Sequence, residues 1–197
     1  MQSKQSRFAS LVTRVQDCSI CPRMGQRRRV LSASNGNLES RVVFIAEAPG
    51  RLGADRFGIP LFGDQTGRNF EWLISNVGIT RESIFITNAV LCNPRTKNGT
   101  NDSPSISEVR NCAIYLKETL DIIKPKYIVP LGKVALTAIR TIHRFETELS
   151  ECVGQLFSWN GYRVYPLFHP SPRTFVWRPK AQQLQDFRDL AALLGVC

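Results

Sequence analysis

No stretch of this sequence is apolar for the ~20 residues that a membrane-crossing helix requires; its longest apolar runs, such as Val42–Ala46 and Tyr127–Leu131, fall far short of that length. Nor does the chain open on a secretory signal, because Met-Gln-Ser-Lys-Gln-Ser-Arg leads into mixed polar sequence without an apolar core or a small-residue cleavage site. A cytoplasmic protein with no membrane partner is the expectation. Internal repeats and low-complexity tracts are absent, which argues against solenoid and disordered architectures. Acidic residues are few, 16 Asp+Glu against 26 Lys+Arg, and the formal net charge is +10. Lysine is scarce as well: 19 of the 26 cations are arginine. The first apolar run also lacks a Gly-x-Gly-x-x-Gly turn behind it. Ala48-Pro49-Gly50-Arg51-Leu52-Gly53 stands there instead, which counts against a nucleotide-binding redox protein.

What is present begins with that arginine excess. The planar guanidinium fork matches phosphate oxygens, so nucleic acid is the leading partner, although a merely basic soluble surface carries the same charge. Hydrophobic residues make up 43% of the chain, enough for a core. The 197 residues suit one monomeric domain, 1–197, with an N-terminal helix and a cysteine-bearing segment (1–30) packed on it. Six cysteines in a chain without a signal argue for ligands or buried thiols rather than a disulfide framework. Four of them form a pattern: Cys18-x-x-Cys21, then Cys92, then Cys112. A Cys-x-x-Cys pair points two thiolates at one metal or cluster, and two distant cysteines close the shell once the fold gathers them. Spacing alone leaves zinc and an iron–sulphur cluster as equal readings. Cys152 and Cys197 have no such partner and read as a buried and a terminal thiol.

Strand and helix signals alternate along the rest of the chain. Residues 4–17 keep helical spacing through Phe8, Leu11, Val12 and Val15. Arg41–Ala48 is a continuous β-branched and aromatic run stopped by Pro49-Gly50, as in a strand covered on both faces. A glycine-rich loop follows from Gly50 to Gly67, then a helix over Phe70–Val77, a strand over Ser83–Leu91 and a long helix over Ser105–Ile123 ended by Lys124-Pro125. Strands over Lys126–Gly132 and Tyr162–Phe168 and helices over Lys133–Ile142 and Lys180–Leu194 complete the series, with Thr96–Ser103 read as a loose loop. This is the pattern of a three-layer α/β/α sandwich around a mainly parallel four-stranded sheet.

Ligands of such folds sit beyond the carboxyl ends of the strands. Here those ends carry Glu47, Asn88 and His169: a carboxylate, a carboxamide and an imidazole, the groups needed to read and activate a small polar heterocycle. Taken singly, a strand-end Asn also serves as a turn residue and a lone His as a structural one.

Several segments together carry a family resemblance: Ile45-Ala46-Glu47-Ala48-Pro49-Gly50, Gly58-Ile59-Pro60-Leu61-Phe62-Gly63, Ile86-Thr87-Asn88 leading to Cys92, Val129-Pro130-Leu131-Gly132 and His169-Pro170-Ser171-Pro172. In order and spacing, over about residues 18–190, they resemble the motifs of the uracil-DNA glycosylase superfamily. The four cysteines resemble the ligands of its iron–sulphur branch, families four and five. The resemblance implies a DNA repair glycosylase. Such an enzyme flips uracil or a related deaminated base out of single- or double-stranded DNA and hydrolyses its N-glycosidic bond, leaving an abasic site. It also implies a [4Fe-4S] cluster on Cys18, Cys21, Cys92 and Cys112, where spacing alone had kept zinc as the alternative. By the same resemblance His169 donates to the base O2 as negative charge gathers there, and Asn88 reads the Watson–Crick edge. Ala48 and Gly50 line the base pocket, and Ser171 and Arg173 meet the DNA.

Two departures leave roles open. The iron–sulphur enzymes place a stacking Phe after the loop proline; this chain has Pro60-Leu61, with Phe62 one place later, so either Phe62 stacks on the base or Leu61 gives an aliphatic wall. Gly63-Asp64-x-x-Gly67 resembles family five and Glu47 family four, which makes Glu47, Asp55 and Asp64 all candidates to position water or steady the cationic sugar. The Arg/Lys-Arg-Arg-Ile-His insertion of uracil-trapping relatives is missing, so turnover by a monofunctional enzyme without a covalent adduct is expected. The alternatives are a non-catalytic iron–sulphur binder of damaged DNA and a glycosylase for another base, such as hypoxanthine or xanthine. Arg27-Arg28-Arg29 reads either as a basic track or as a solvated turn.

Overall fold

The computed structural model describes residues 2–196. Helix α1 (Lys4–Gln16) starts where Ser3 Oγ accepts the Ser6 amide at 3.1 Å, and its Phe8, Leu11 and Val15 recur on one buried stripe. Strand β1 (Val42–Ala46) is buried at every residue, as a strand with helices on both faces must be. Then follow α2 (Ala54–Phe57), α3 (Gln65–Ser75), β2 (Phe85–Asn88), α4 (Ile106–Ile123) and β3 (Tyr127–Pro130). The chain closes with α5 (Lys133–Ile142), α6 (Leu149–Cys152), β4 (Phe157–Trp159), β5 (Tyr162–Val164) and α7 (Lys180–Leu194). A reciprocal Ser105–Glu108 capping box opens α4, and Lys124 in the left-handed region (φ 53°) closes it ahead of Pro125.

The sheet has five strands rather than the expected four, in the order β2-β1-β3-β5-β4. The first four run parallel; β4 is an antiparallel edge strand joined to β5 through Asn160-Gly161, both at positive φ (46° and 83°), the two-residue turn that suits strand twist. Alternation along β1 divides the core. Val43 and Ile45 face α1, α4 and α5 with Phe8, Leu11, Leu116 and Leu136, whereas Val42 and Phe44 face α3 and α7 with Phe70, Leu73, Phe187 and Leu190. Phe44 meets Phe70 edge to face at 5.3 Å. Each of these large side chains contributes roughly 1.5–3 kcal/mol by leaving water, so both helical layers are held on the sheet. Among the described residues, no helix is long and apolar enough to cross a membrane.

The register aligns the strand tips. Ala46 pairs with Asn88, Ile45 with Pro130, and beyond β3 and β5 a single bridge joins Leu131 to Leu167. Glu47, Asn88, Gly132 and His169 therefore stand on one rim, about 15 Å across four strands spaced by about 4.8 Å. The chain leaves β1 toward β2 on one side and returns to β3 on the other, which makes the tip of β1 the crevice of the sheet.

Candidate active site

His169 follows the Leu131–Leu167 bridge and is anchored from three sides. Its carbonyl accepts from the Ser171 amide at 2.8 Å and from the Thr174 hydroxyl. The next carbonyl, of Pro170, accepts from Asn69 Nδ2 at 2.9 Å, so α3 holds the turn from below. Gly132, at φ 91°, lets the β3–α5 turn approach until a Cβ there would lie 3.3 Å from His169 Cβ. The residue keeps some solvent access, but protein crowds its ring, and burial pushes its pKa down to about 4, opposed only in part by the charge of Asp64. His169 is thus a neutral imidazole at pH 7, a hydrogen-bond donor that brings no positive charge of its own.

Asn88 is the last residue of β2 and is 2% exposed. Its Nδ2 is buried with no hydrogen-bond partner. An orphaned donor of this kind costs roughly 1–3 kcal/mol unless something occupies it. Its place on the rim, level with Ala46, makes a ligand acceptor the natural occupant.

The three carboxylates have different surroundings. Asp64 is the N-cap of α3, where Oδ1 accepts the Gly67 amide at 2.9 Å. Its Oδ2 lies so close to the β1–α2 loop that a Cβ on Gly50 or Gly53 would come within 2.6 or 2.5 Å of it. Asp64 is also the carboxylate whose charge reaches His169. Glu47 stands at the tip of β1, where burial raises its pKa above the usual range while a hydrogen bond from Ser103 opposes the shift. Asp55 pairs with Arg95 at 2.6 Å and has one buried oxygen without a partner. Ala48 and Gly50 are half-buried beside Glu47.

Leu61 and Phe62 point to different surroundings. Leu61 adopts φ 49°, unusual for a side-chain-bearing residue, and is buried in the core on the α3 face. Phe62 is 41% exposed and meets Phe57 edge to face at 5.7 Å.

Cys18 and Cys21, just after α1, Cys92, after β2, and Cys112, in α4, are free thiols that feel one another: Cys18 and Cys21 raise the pKa of Cys92, and all three raise that of Cys112. Burial is the larger cause, taking Cys92 to about 11 and Cys112 to about 12. Asn111 Nδ2 lies 3.4 Å from Cys21 Sγ, and Tyr115 hydrogen-bonds Cys18. Among the described residues, no three His, Cys, Asp or Glu side chains converge closely enough to enclose one metal ion. Cys152 is buried in the core and Cys197 lies outside the described residues.

The segment expected to be loose, Thr96–Ser103, is closed by hydrogen bonds. Arg95 and Asn101 form a bridge, Thr96 donates to the Thr100 carbonyl at 2.9 Å, and Arg23 pairs with Asp102 at 2.7 Å and with Glu108. Asn93, next to Cys92, donates to the Pro49 carbonyl at 2.6 Å and to Asn101 at 3.0 Å, while Asn101 accepts from Arg51 N at 2.8 Å. The cysteine corner is thereby wired to the Glu47–Gly50 tip. Within the arginine triplet, Arg29 turns inward to the Cys18 carbonyl and Arg28 donates to the Asp55 carbonyl, so two of the three are structural ties.

Ser171 and Arg173 lie on the turn after His169; Arg173 is exposed, and the Ser171 hydroxyl makes no capping bond. Asn69, Thr174, Asn93 and Asn101 hold the site together yet stand in no sequence motif. The helix capped by Asp64 begins at Gln65, inside the segment read from sequence as a loop to Gly67.

A fold of parallel strands whose carboxyl-end rim carries a carboxamide, a neutral imidazole and a carboxylate belongs to a class: α/β enzymes that bind a small planar polar ring. The sequence profile of the uracil DNA glycosylase superfamily matches residues 33–191, and the chain belongs to that superfamily. It is 31% identical to a type-4 uracil-DNA glycosylase of Thermotoga maritima over 186 residues, covering 94% of this chain and 91% of that protein. It is 30% identical to the type-4 enzyme of Archaeoglobus fulgidus over 167 residues, 81% and 80% of the two chains. A type-5 uracil-DNA glycosylase of Pyrobaculum aerophilum is 28% identical over 193 residues, 84% of this chain and 83% of that one.

Proposed function

We propose that the chain is a monofunctional DNA repair glycosylase that takes uracil from DNA and hydrolyses its N-glycosidic bond, leaving an abasic site. The observation that carries the reading is the orphaned Asn88 amide on the same strand rim as an imidazole held neutral. Uracil presents an O4 acceptor beside an N3–H donor, and one carboxamide complements both, Nδ2 serving O4 and Oδ1 taking the N3 proton. Cytosine presents the reverse pattern, and the mismatch costs roughly 1–3 kcal/mol for each group left facing its like.

As the bond between sugar and base lengthens, the base gathers negative charge at O2 and the sugar becomes cationic. Neutral His169 donates to O2 without holding the product as an ion pair; a donor of this kind contributes about 2.7–4 kcal/mol to the transition state. Of the three carboxylates, Asp64 suits water positioning best. One oxygen is fixed by its helix, the other faces the loop glycines, and its charge is the one that reaches His169. Asp55 is committed to Arg95, and Glu47 faces Ser103. Buried Leu61 serves as an aliphatic wall from the core side, which leaves Phe62 as the aromatic face at the pocket mouth. Cys18, Cys21, Cys92 and Cys112, four thiols with no imidazole or carboxylate among them, are the donor set of a thiolate-bound [4Fe-4S] cluster. Such a cluster would clamp the α1–β1 segment and the β2–α4 loop and take no part in bond cleavage.

The test is to incubate the protein with labelled oligonucleotides carrying uracil, hypoxanthine or xanthine, single- and double-stranded, and to cleave abasic sites with alkali. Strand breaks at uracil are expected. Breaks only at another lesion would reassign the base, and none at any lesion would leave a non-catalytic binder.

A further inference from the structure

Of the exposed apolar side chains outside the mechanism, the most prominent lie on the His169 turn. Val176 and Trp177 are 81% and 79% exposed, the most open large apolar side chains among the described residues. The turn beneath them is rigid. The Trp177 and Arg178 amides both donate to the Thr174 carbonyl, at 3.0 and 2.9 Å, and the Arg178 guanidinium is locked on Asp186, itself 4% exposed. Thr174 in turn donates to the His169 carbonyl and is braced by Gln183 at 3.3 Å. An indole held in water on a scaffold this well bonded contributes little to folding, since it buries little area.

The chemistry around it selects an occupant. Arg173 and Lys180, on either side of Trp177 in the chain, are exposed cations. On the β1–α3 loop the same combination recurs: Phe57 and Phe62 stand exposed, with the Arg56 guanidinium 5.3 Å from the Phe57 ring. Open π faces beside cations, on a chain of net charge +10, match a flexible polyanion that carries planar rings. In a duplex the faces of the bases are covered by their neighbours; in an unpaired strand they are free.

We propose that Trp177 is a stacking platform for a nucleobase flanking the excised one, and that it gives this protein a preference for uracil in unpaired DNA. The proposal rests on the glycosylase reading, and its test separates the two. Affinity for a uracil-free oligonucleotide, as single strand and as duplex, is measured by the anisotropy of a DNA label, alongside intrinsic fluorescence. Trp159 is buried and Trp72 lies under Lys180, which leaves Trp177 as the open reporter. The single strand should quench the wild-type emission, and Trp177→Ala should abolish that quench. Trp177→Ala should also weaken single-strand binding by about 5- to 100-fold, the usual range for one stacked base, and duplex binding by less than threefold, while Trp177→Phe retains most of the affinity. Equal binding by wild type and Trp177→Ala, or equal losses on both DNA forms, would overturn the proposal. So would sedimentation showing a wild-type dimer that Trp177→Ala converts to monomer, because the indole would then cover a second copy. Absence of uracil release with DNA binding and the Trp177 effect intact would remove the glycosylase reading and leave the platform standing.

Discussion

The His169 turn, beyond β5, and the cysteine corner, beyond β2, lie on opposite sides of the strand rim, and they are held in different ways. The turn closes its own hydrogen bonds: Ser171, Thr174 and Asn69 satisfy the His169 and Pro170 carbonyls with protein groups alone. The corner places four buried or half-buried thiols within electrostatic reach of one another, with the Asn111 amide near Cys21 and the Tyr115 phenol on Cys18. Burial pushes the pKa of Cys92 up to about 11 and that of Cys112 up to about 12, so nothing internal gains from gathering those two thiols. A site made of protein alone survives the loss of any one reacting group; under the proposed function the corner would be completed by a bound cluster and would not.

That contrast is open to attack at several points. The largest effect is expected from Cys92→Ala, which should forfeit most of the soluble yield and most of the iron, about four per chain for a filled cluster, as measured by metal analysis of yellow-brown protein. Soluble, iron-free Cys92→Ala protein at full rate would erase the distinction, and stoichiometric zinc in colourless wild type would change the occupant. Next comes His169→Ala. Its yield and melting temperature should stay near wild type while the single-turnover rate falls about 10²- to 10³-fold with DNA affinity little changed, because the donor acts on charge that appears only in the transition state. A His169→Ala protein that fails to fold would show that the turn, too, needs its reacting group.

Within the site, Asp64→Asn and Glu47→Gln sharpen the picture. Asparagine caps helices as well as aspartate does, so Asp64→Asn should keep its stability and lose about 10- to 100-fold in rate, within the span of a positioned acid–base group. Glu47→Gln should stay within a few-fold of wild type. The reverse ranking would move the water to the β1 tip.

The smallest effect is a pH dependence. Burial lowers the His169 pKa from its ordinary 6.5 to about 4. The unfolded chain therefore binds a proton that the folded one refuses between those values. Stability from this residue is complete above pH 6.5 and is lost as pH falls toward 4. The rate should show no break near 6.5, and with two histidines in the chain the His169 ring signals in NMR can be assigned from His169→Asn and followed. A His169 titration centred near 6.5 would contradict the neutral-donor assignment.

Much of this molecule was legible before any coordinates. Each of the segments 41–48, 83–91, 126–132 and 162–168 expected as a strand contains one, and at 42–46 and 127–130 cover on both faces leaves an unbroken apolar signature. The edge strand Phe157–Trp159 escaped because three residues make no periodicity, although Asn160-Gly161 was there to mark its hairpin. The order in 96–103 escaped because it comes from side-chain bonds among Asn93, Asn101 and Arg23, which leave no pattern in composition. Residue types at the strand ends pointed to Glu47, Asn88 and His169. Nothing in the sequence distinguished the surroundings of Asp55, Asp64 and Glu47, since an ion pair with Arg95 or a bond from Ser103 exists only once distant loops meet.

The position of Asp64 as the cap of α3 also bears on inheritance. Aspartate and asparagine codons differ by one G-to-A change in the first base, which is what an unrepaired cytosine deamination on the opposite strand writes. Because the helix accepts either residue as its cap, that change would pass through folding unnoticed and remove only the charge. Under the proposed activity, the lesion this protein clears is also the one by which its gene would drift to a well-folded but much slower copy.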